Sequence, residues 1–447
     1  MSISRKTTLG FIIGGIVVIA SIVFGLSDSV ERDRTINKES SPIEKTDTTV
    51  NQSVSQPHND IHFFLENSGS IDGYLNPNSD FISCINRLIR DAELGDHSIS
   101  TYYINSGVYE SNKSSSEYLR TLTVSGVSSY GNRMTSDINS MFQEAIQRCK
   151  EGGVSILVSD GIYSLNLNGR DQSPEQLLDA LNREKLVTRN SIVSAAEAFD
   201  LMTVVVKMES EFEGKYYRCN NANQRIDQIR PYYIWFFGNP SAIEQVVEDL
   251  SVEQLPGFVN QVKFIRSKNR TARYSILTRG DSKIGDFRSA RGSADDVHEV
   301  FEAERAERGA NRGLFGFSVA VDLSDIQLPN SYLSSTSHYQ ISSGYEMKNI
   351  YEVSDADEWR SVNSLDFEPT HIIEIQTSGR FLGDVSINLY NEVPGWIQES
   401  GNSDDTRSID ETTTFGFATL MEGITEGYEK LNESQPELLT LTLSVNP

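Results

Sequence analysis

Cysteine and histidine are scarce in this chain of 447 residues, which contains three cysteines and six histidines. Cys84, Cys149 and Cys219 are odd in number, so they cannot build a complete disulfide framework. Cys84 and Cys149 fall on apolar helix faces, where we expect buried free thiols. The histidines are scattered along the chain. His62 lies within a strand-like run, and we expect it to be a core or edge residue.

Basic residues are also in deficit, since 39 Lys and Arg stand against 63 Asp and Glu and give a net charge of −24. Nucleic-acid binding depends on basic surface, so we expect no nucleic-acid partner. The chain also lacks a Gly-x-Ser-x-Gly nucleophile elbow and a phosphate-binding loop, which are common signatures of hydrolases and nucleotide-binding enzymes. Its 38% content of hydrophobic residues is that of a globular protein.

Charged residues are missing from one stretch near the N-terminus. Leu9–Leu26 is a run of 18 uncharged residues rich in Ile, Val and Gly, just long enough to span a bilayer. Arg5 and Lys6 precede it in the short tail 1–8. We predict a single-pass membrane anchor with the soluble body on the extracytoplasmic side. A cleaved signal peptide is the alternative interpretation.

Aromatic residues are absent between residues 27 and 57, a stretch rich in Ser, Thr, Asn, Asp and Glu. This composition cannot build a core, so we predict a flexible linker between the anchor and a folded body. The hydrophobic pattern of that body changes at about residue 267. We therefore predict an α/β domain over 58–267 and a β-rich α+β domain over 268–447.

Strand-like and helix-like segments alternate in the first of these domains. Several strand-like runs are continuously apolar, as in strands that are buried on both faces. The predicted strands are Ile61–Leu65, Ser98–Ile104, Val154–Val158, Leu201–Met208 and Tyr232–Phe237. The predicted helices are one capped by Ser79, Ile138–Cys149, one capped by Ser173, Asn190–Phe199 and Pro240–Leu250. The alternation predicts a mostly parallel sheet between helices.

The second domain shows more strands than helices. Alternation of large apolar with small or polar residues indicates half-buried strands. The predicted strands are Arg273–Thr278, Phe315–Leu323, Met347–Val353, His371–Thr377, Asp384–Tyr390 and Leu438–Val445. The predicted helices are Asp295–Arg308 and Thr414–Leu431.

Carboxylates and hydroxyls follow two of the apolar runs in the α/β domain. Glu66, Ser68 and Ser70 come directly after the first predicted strand, and Asp160 follows the third. Thr135 lies just before a predicted helix, where its hydroxyl could join the others. Open α/β sheets place ligands at the carboxyl ends of their strands. Oxygen ligands of this kind suit Mg²⁺ or Mn²⁺, whereas zinc prefers thiolates and imidazoles.

These residues resemble the metal-ion-dependent adhesion site of von Willebrand factor A domains. That site reads Asp-x-Ser-x-Ser, then a distant Thr and a distant Asp. The chain offers Glu66-x-Ser68-x-Ser70, Thr135 and Asp160. The resemblance implies a Rossmann-like fold in which both serines bind the metal directly. It also implies that Thr135 binds directly or through water and that the carboxylates act largely through waters.

The first acid departs from the family pattern, because Glu66 stands where the family has Asp. Its carboxylate is one methylene further from the backbone. An acid that acts through a water could tolerate this, or the change could weaken metal binding. Asp72 lies nearby in the sequence and could add a charge behind the ligands.

Together with the predicted anchor, the resemblance implies a membrane-tethered protein-binding module that is not an enzyme. A partner protein would present an acidic residue to the metal, while the N-terminal helix holds the chain in the membrane. Two alternatives stay open, namely a metal-dependent hydrolase at the same strand ends and a scaffold whose β-rich domain binds the partner. The sequence gives no prediction of the oligomeric state.

Overall fold

A computed structural model of the chain describes residues 60–447, with short gaps. The gaps are 135, 151, 166–172, 221, 267–271, 280–282, 290–295, 327, 329, 354–361, 380–382, 391 and 433–436. The predicted anchor, the predicted linker and Thr135 therefore lie outside the described residues. Within the described ranges, no helix is both long enough and apolar enough to cross a membrane.

Residues 60–447 belong to one compact unit whose first part is built around a seven-stranded sheet. Its strands are β1 (Asp60–Glu66), β2 (Ser98–Ile104), β3 (Val108–Glu110), β4 (Val154–Ser159), β5 (Met202–Tyr217), β6 (Asn223–Gly238) and β7 (Phe258–Phe264). They lie in the order β3-β2-β1-β4-β6-β5-β7. The predicted α/β architecture is present in this part of the chain.

The sheet is mixed, so the prediction of a mostly parallel sheet was wrong. Parallel pairing joins β1 to β2 and to β4. The pairs β2–β3, β4–β6, β5–β6 and β5–β7 are antiparallel. The short connection between β5 and β6 makes that pair an antiparallel hairpin, because parallel strands need a long crossover.

Helices cover both faces of this sheet. They are α1 (Asp80–Leu94), α2 (Ser115–Arg120), α3 (Val124–Val127), α4 (Ile138–Cys149), α5 (Pro174–Ala198) and α6 (Pro240–Asp249). In β1, Phe63 and Leu65 share a core with α1 and α6. Phe64 points the other way and shares a core with α4 and α5. Side chains of successive strand residues alternate between faces, which explains the division.

The helix starts follow the capping signals in the sequence. The Ser79 hydroxyl accepts the N–H of Ile82 at the start of α1. Ser173 and Gln176 form a capping box at the start of α5. That helix then continues through Asn190 to Ala198. The separate helix predicted over Asn190–Phe199 is therefore the second half of one 25-residue helix.

Two further sheets form the second part of the compact unit. Their strands are β8 (Tyr274–Leu277), β9 (Asp286–Ser289), β10 (Glu299–Glu304), β11 (Phe315–Val321), β12 (Tyr339–Ile341), β13 (Glu346–Glu352), β14 (His371–Thr377), β15 (Asp384–Tyr390) and β18 (Glu437–Val445), with a separate small pair β16 (Gly401–Asn402) and β17 (Thr414–Phe415). The helices are α7 (Asn330–Leu333), α8 (Trp396–Glu399) and α9 (Phe417–Leu431).

The two sheets have the strand orders β12-β15-β18-β10-β9 and β13-β14-β11-β8. Alternate residues of both sheets belong to one core, including Phe317 and Val319 of β11 and Leu441 of β18. All six strands predicted in this region are present. The predicted helix Asp295–Arg308 was wrong, because β10 occupies its centre and pairs with β9 and β18.

Helix α9 packs on α5, so the two parts of the chain share a core. Phe417 and Ile424 lie in the same cluster as Leu181 of α5 and Phe64 of β1. The predicted domain boundary falls in 267–271, outside the described residues.

Gly73 lies against β5, in the loop that follows β1. It is buried in a short 3₁₀ turn, Ile71–Tyr74, and a Cβ added to it would overlap the ring of Phe212. We expect Gly73→Ala to lower the free energy of unfolding by about 1–3 kcal/mol, as overpacking does in other cores. Urea unfolding measures this change.

Gly395→Ala is the matched control, because Gly395 has an ordinary helical φ of −59° and its added Cβ would meet nothing closer than 4.0 Å. Equal unfolding midpoints for the two variants would show that the packing of Phe212 against Gly73 leaves room for a Cβ.

Candidate metal centre

Glu66 and Asp160 come together because β1 and β4 are adjacent parallel strands. Leu65 pairs with Val158, so Glu66 ends β1 beside Ser159, the last residue of β4. Asp160 follows directly. The structure thus places both predicted acids at one edge of the sheet, where the carboxyl ends of the two strands meet.

The predicted serines join this pair at the same edge. The hydroxyl oxygens of Ser68 and Ser70 lie 2.8 Å apart. Ser68 is buried and Ser70 is half-buried, so the hydroxyl pair lies at the boundary between core and solvent. Four of the five predicted ligands are therefore clustered, and the fifth, Thr135, lies outside the described residues.

Arg133 holds the loop that carries the serines. Its Nε donates to the carbonyl of Asn67 at 2.6 Å and its Nη2 to the carbonyl of Ser68 at 2.9 Å. The N–H of Gly69 donates to the carbonyl of Arg133 at 3.1 Å. Asp72 pairs with the same guanidinium. The Asp72 carboxylate is therefore paired with Arg133, and Arg133 in turn fixes the backbone of the loop.

Asn67 fixes the loop from the inside. The side chain is buried, and its Nδ2 donates to the carbonyls of Val127 at 3.0 Å and Tyr130 at 2.8 Å. Its Oδ1 accepts from Asn105 Nδ2 at 2.9 Å. With its side-chain groups bound inside, Asn67 anchors the position between Glu66 and Ser68. Sequence reasoning missed Asn67, because the ligand pattern leaves the position between Glu66 and Ser68 unspecified.

Glu66 is buried, and it is held by hydroxyl groups. Ser159 donates a hydrogen bond to Glu66 Oε2, while its own oxygen accepts the N–H of Gly161 at 3.0 Å. Burial raises the pKa of Glu66, and hydrogen bonds from Ser159, Ser68 and Ser136 partly offset the increase. Sequence reasoning missed Ser136 and Ser159. Their only signal was position, since each is the immediate neighbour of a predicted ligand.

Asp160 is the least satisfied group at the site. Its Oδ1 accepts the N–H of Ile162 at 3.1 Å. Its Oδ2 is buried and has no hydrogen-bond partner among the described residues. Burial, and then the nearby charge of Glu66, raise the pKa of Asp160 to about 7, while the Ser70 hydroxyl and the charge of Arg230 act in the opposite direction.

Arg230 brings a buried positive charge to the edge of the site. The side chain is almost fully buried and lies over the ring of Tyr216, with 4.7 Å between the guanidinium carbon and the ring centroid. It donates to the carbonyls of Asp410 and, at 2.9 Å, Thr413. Its charge lowers the pKa of Asp160. Sequence reasoning missed Arg230 because its role depends on contacts about 180 residues away along the chain.

The clustered groups fit a small, hard cation. Two buried carboxylates and two adjacent hydroxyls supply oxygen donors, and the unpartnered Oδ2 of Asp160 lacks the positive partner that a buried carboxylate requires. In the part of the chain that the structure describes, no group of three or more His, Cys, Asp and Glu side chains could hold a metal. A metal at this edge would therefore depend on the serine hydroxyls.

The raised pKa of Asp160 predicts a pH-dependent stability of the metal-free protein. The folded chain binds this proton more tightly than the unfolded chain does, so the group lowers stability as the pH rises from about 4 through about 7. Asp160→Asn removes this loss. In EDTA at pH 8 we expect the variant to be more stable than the wild type by on the order of 2–4 kcal/mol, with the gain shrinking towards pH 4.

Urea unfolding of both proteins at pH 4, 6 and 8 measures the difference. Asp227→Asn on the exposed part of β6 is the matched control and should show no such trend. A gain that is equal at all three pH values would contradict the raised pKa.

Comparisons of the chain with protein-family models, with curated proteins and with solved structures gave no match.

Proposed function

We propose that this chain is a membrane-tethered protein-binding module of von Willebrand factor A type, with a divalent cation as part of its binding surface. The observation that carries the proposal is the buried, unpartnered Oδ2 of Asp160 in one cluster with Glu66 and the Ser68–Ser70 hydroxyl pair. Buried carboxylates are paired with cations or coordinate metals, which makes a cation the natural partner.

Ser68 and Ser70 would hold Mg²⁺ or Mn²⁺ directly, with Asp160 and Glu66 acting largely through bound waters. Thr135 keeps its proposed role as the fifth ligand. Its neighbour Ser136 is close enough to Glu66 to lower the pKa of that carboxyl, which supports a place for this segment at the site. When bound, the cation would supply an open coordination position for an acidic side chain of a partner protein.

The substitution of Glu for the usual Asp fits this arrangement. Ser159 and Gly161 form a short chain of hydrogen bonds that ends on Glu66 Oε2. That chain draws the longer side chain towards β4, so the carboxylate is fixed although its stem has an extra methylene. The mixed sheet remains a departure from the mostly parallel sheet that the family resemblance implies.

Strand β1 runs from one edge of the sheet to the other. The chain enters this strand at Asp60 and reaches the cluster at Glu66, the other end of the strand. Seven residues of extended strand separate the two ends by about 20 Å. Asp60 and the candidate metal site therefore lie at opposite edges of the sheet.

A metal-dependent hydrolase is the second candidate, because the raised pKa of Asp160, about 7, suits a general base. His62 is four residues before Glu66 within β1, and burial lowers its pKa. Turnover of a generic phosphoester that requires Mg²⁺ and is lost in Asp160→Asn would favour the hydrolase over the binding module.

The metal is the first step to test. We expect the wild-type protein to bind one Mg²⁺ in titration calorimetry at pH 7.5. We expect Asp160→Asn and the double variant Ser68→Ala, Ser70→Ala to weaken this affinity at least about tenfold, because each removes charge or ligand oxygens. Asp227→Asn serves as the control for charge, and Ser125→Ala in α3 serves as the control for an exposed hydroxyl.

Wild-type affinity in both site variants would place the cation elsewhere and remove the basis of the proposal. So would the absence of any Mg²⁺ or Mn²⁺ binding by the wild type.

A further inference from the structure

A two-stranded arm extends from the seven-stranded sheet towards the metal loop. The last pairing of β6 with β4 is at Tyr233, and the last pairing of β5 with β7 is at Met208. Beyond these points β5 and β6 pair only with each other, over 209–217 and 223–232. We call this segment the hairpin arm. It packs on the turn after the metal loop, where Phe212 contacts Gly73.

The tip of the arm is fixed on one side by the C-terminal part of the chain. Tyr216 donates to Asp405 Oδ2 at 2.8 Å, and the N–H of Cys219 donates to Asp405 Oδ1 at 2.9 Å. Arg218 donates to the carbonyl of Thr406 at 3.2 Å. Asp405 is buried, so both of its oxygens are used and the tip is held firmly.

Tyr217 lies between these fixed residues and reaches the metal loop. Its hydroxyl oxygen is 3.4 Å from the position that a Cβ on Gly69 would occupy, and two of its ring carbons are 3.6 Å from it. Gly69 separates the two proposed serine ligands. Tyr217 is 38% exposed, and its hydroxyl makes no hydrogen bond within the residues that the structure describes. The Tyr217 hydroxyl is therefore held beside Gly69, on a residue that is partly exposed to solvent.

We propose that Tyr217 is a specificity-determining residue that donates a hydrogen bond to the carboxylate of the partner. This inference rests on the proposed function. A carboxylate that binds a metal through one oxygen leaves the other oxygen without a partner. A phenol hydroxyl can donate to that oxygen, and hydrogen bonds to charged groups are stronger than those between neutral groups.

The fixed tip explains how one hydroxyl can contribute to affinity. Asp405 binds the side chain of Tyr216 and the backbone N–H of Cys219, on the two sides of Tyr217, so little freedom of the arm is lost when a ligand binds. Asp405 is thus a positioning residue for Tyr217. The ligand class that fits the site is a carboxylate, supplied by an Asp or Glu side chain of a partner protein.

Acetate is the probe for this proposal. The full-length protein in detergent micelles is loaded with Mn²⁺, and the broadening of the ¹³C-acetate signal is measured as acetate is added. We expect Tyr217→Phe to weaken acetate binding about tenfold, as the loss of a hydrogen bond to a charged group does, and to leave the Mg²⁺ affinity unchanged. Ile229→Thr, also exposed on the arm, should change neither quantity.

The outcomes separate the inference from the proposed function. If Tyr217→Phe binds acetate like the wild type, the role of Tyr217 is wrong. If bound Mn²⁺ does not broaden the acetate signal of the wild type, the proposed function is wrong, because the cation then offers no position for a carboxylate. If the wild type binds no divalent cation, the proposed function itself is wrong. If Tyr217→Phe also weakens Mg²⁺ binding, Tyr217 belongs to the metal site and is not a specificity-determining residue for the carboxylate.

Discussion

The burial of two carboxylates side by side is the constraint on which this site depends. Parallel pairing of β1 with β4 forces Glu66 and Asp160 to the same edge of the sheet, and the helices on both faces keep water away. Each charge then raises the energy of the other in a medium that solvates neither well. Hydroxyl and backbone N–H groups donate hydrogen bonds to the two carboxylates. Asp160 Oδ2 nevertheless has no hydrogen-bond partner in the described part of the chain. Arg230 supplies one positive charge nearby, and the pKa of Asp160 is raised in spite of it.

Much of this arrangement was predictable from the sequence because it follows from local rules. Continuous apolar runs gave β1 and β4, and the acids directly after them had to lie at the ends of buried strands. The mixed sheet was not predictable in the same way, since the pairing of β6 with β4 is a tertiary choice. The hairpin arm was missed because charged residues alternate along its outer side, so its apolar signal ends near Met208. Ser159 and Arg230 act through contacts that no spacing in the sequence encodes.

The C-terminal part of the chain bears on the site although its strands form separate sheets. Arg230, which lowers the pKa of Asp160, is held by the carbonyls of Asp410 and Thr413. Asp405 holds the tip of the hairpin arm. The segment between β16 and β17 thus reaches both the buried charge behind the cluster and the exposed tyrosine beside it.

This connection changes how the two binding hypotheses relate to each other. A scaffold role for the α/β part and a binding role for the β-rich part are opposed only if the parts act separately. Here α9 shares a core with α5, and the segment 403–413 holds both Arg230 and the tip of the hairpin arm. A partner that bound the β-rich sheets and shifted this segment would also move Arg230 relative to Asp160. Burial and the charge of Glu66 raise the pKa of Asp160, whereas the charge of Arg230 lowers it. A displacement of Arg230 would therefore change the pKa of Asp160, and this gives a route by which the β-rich part could influence the acid pair.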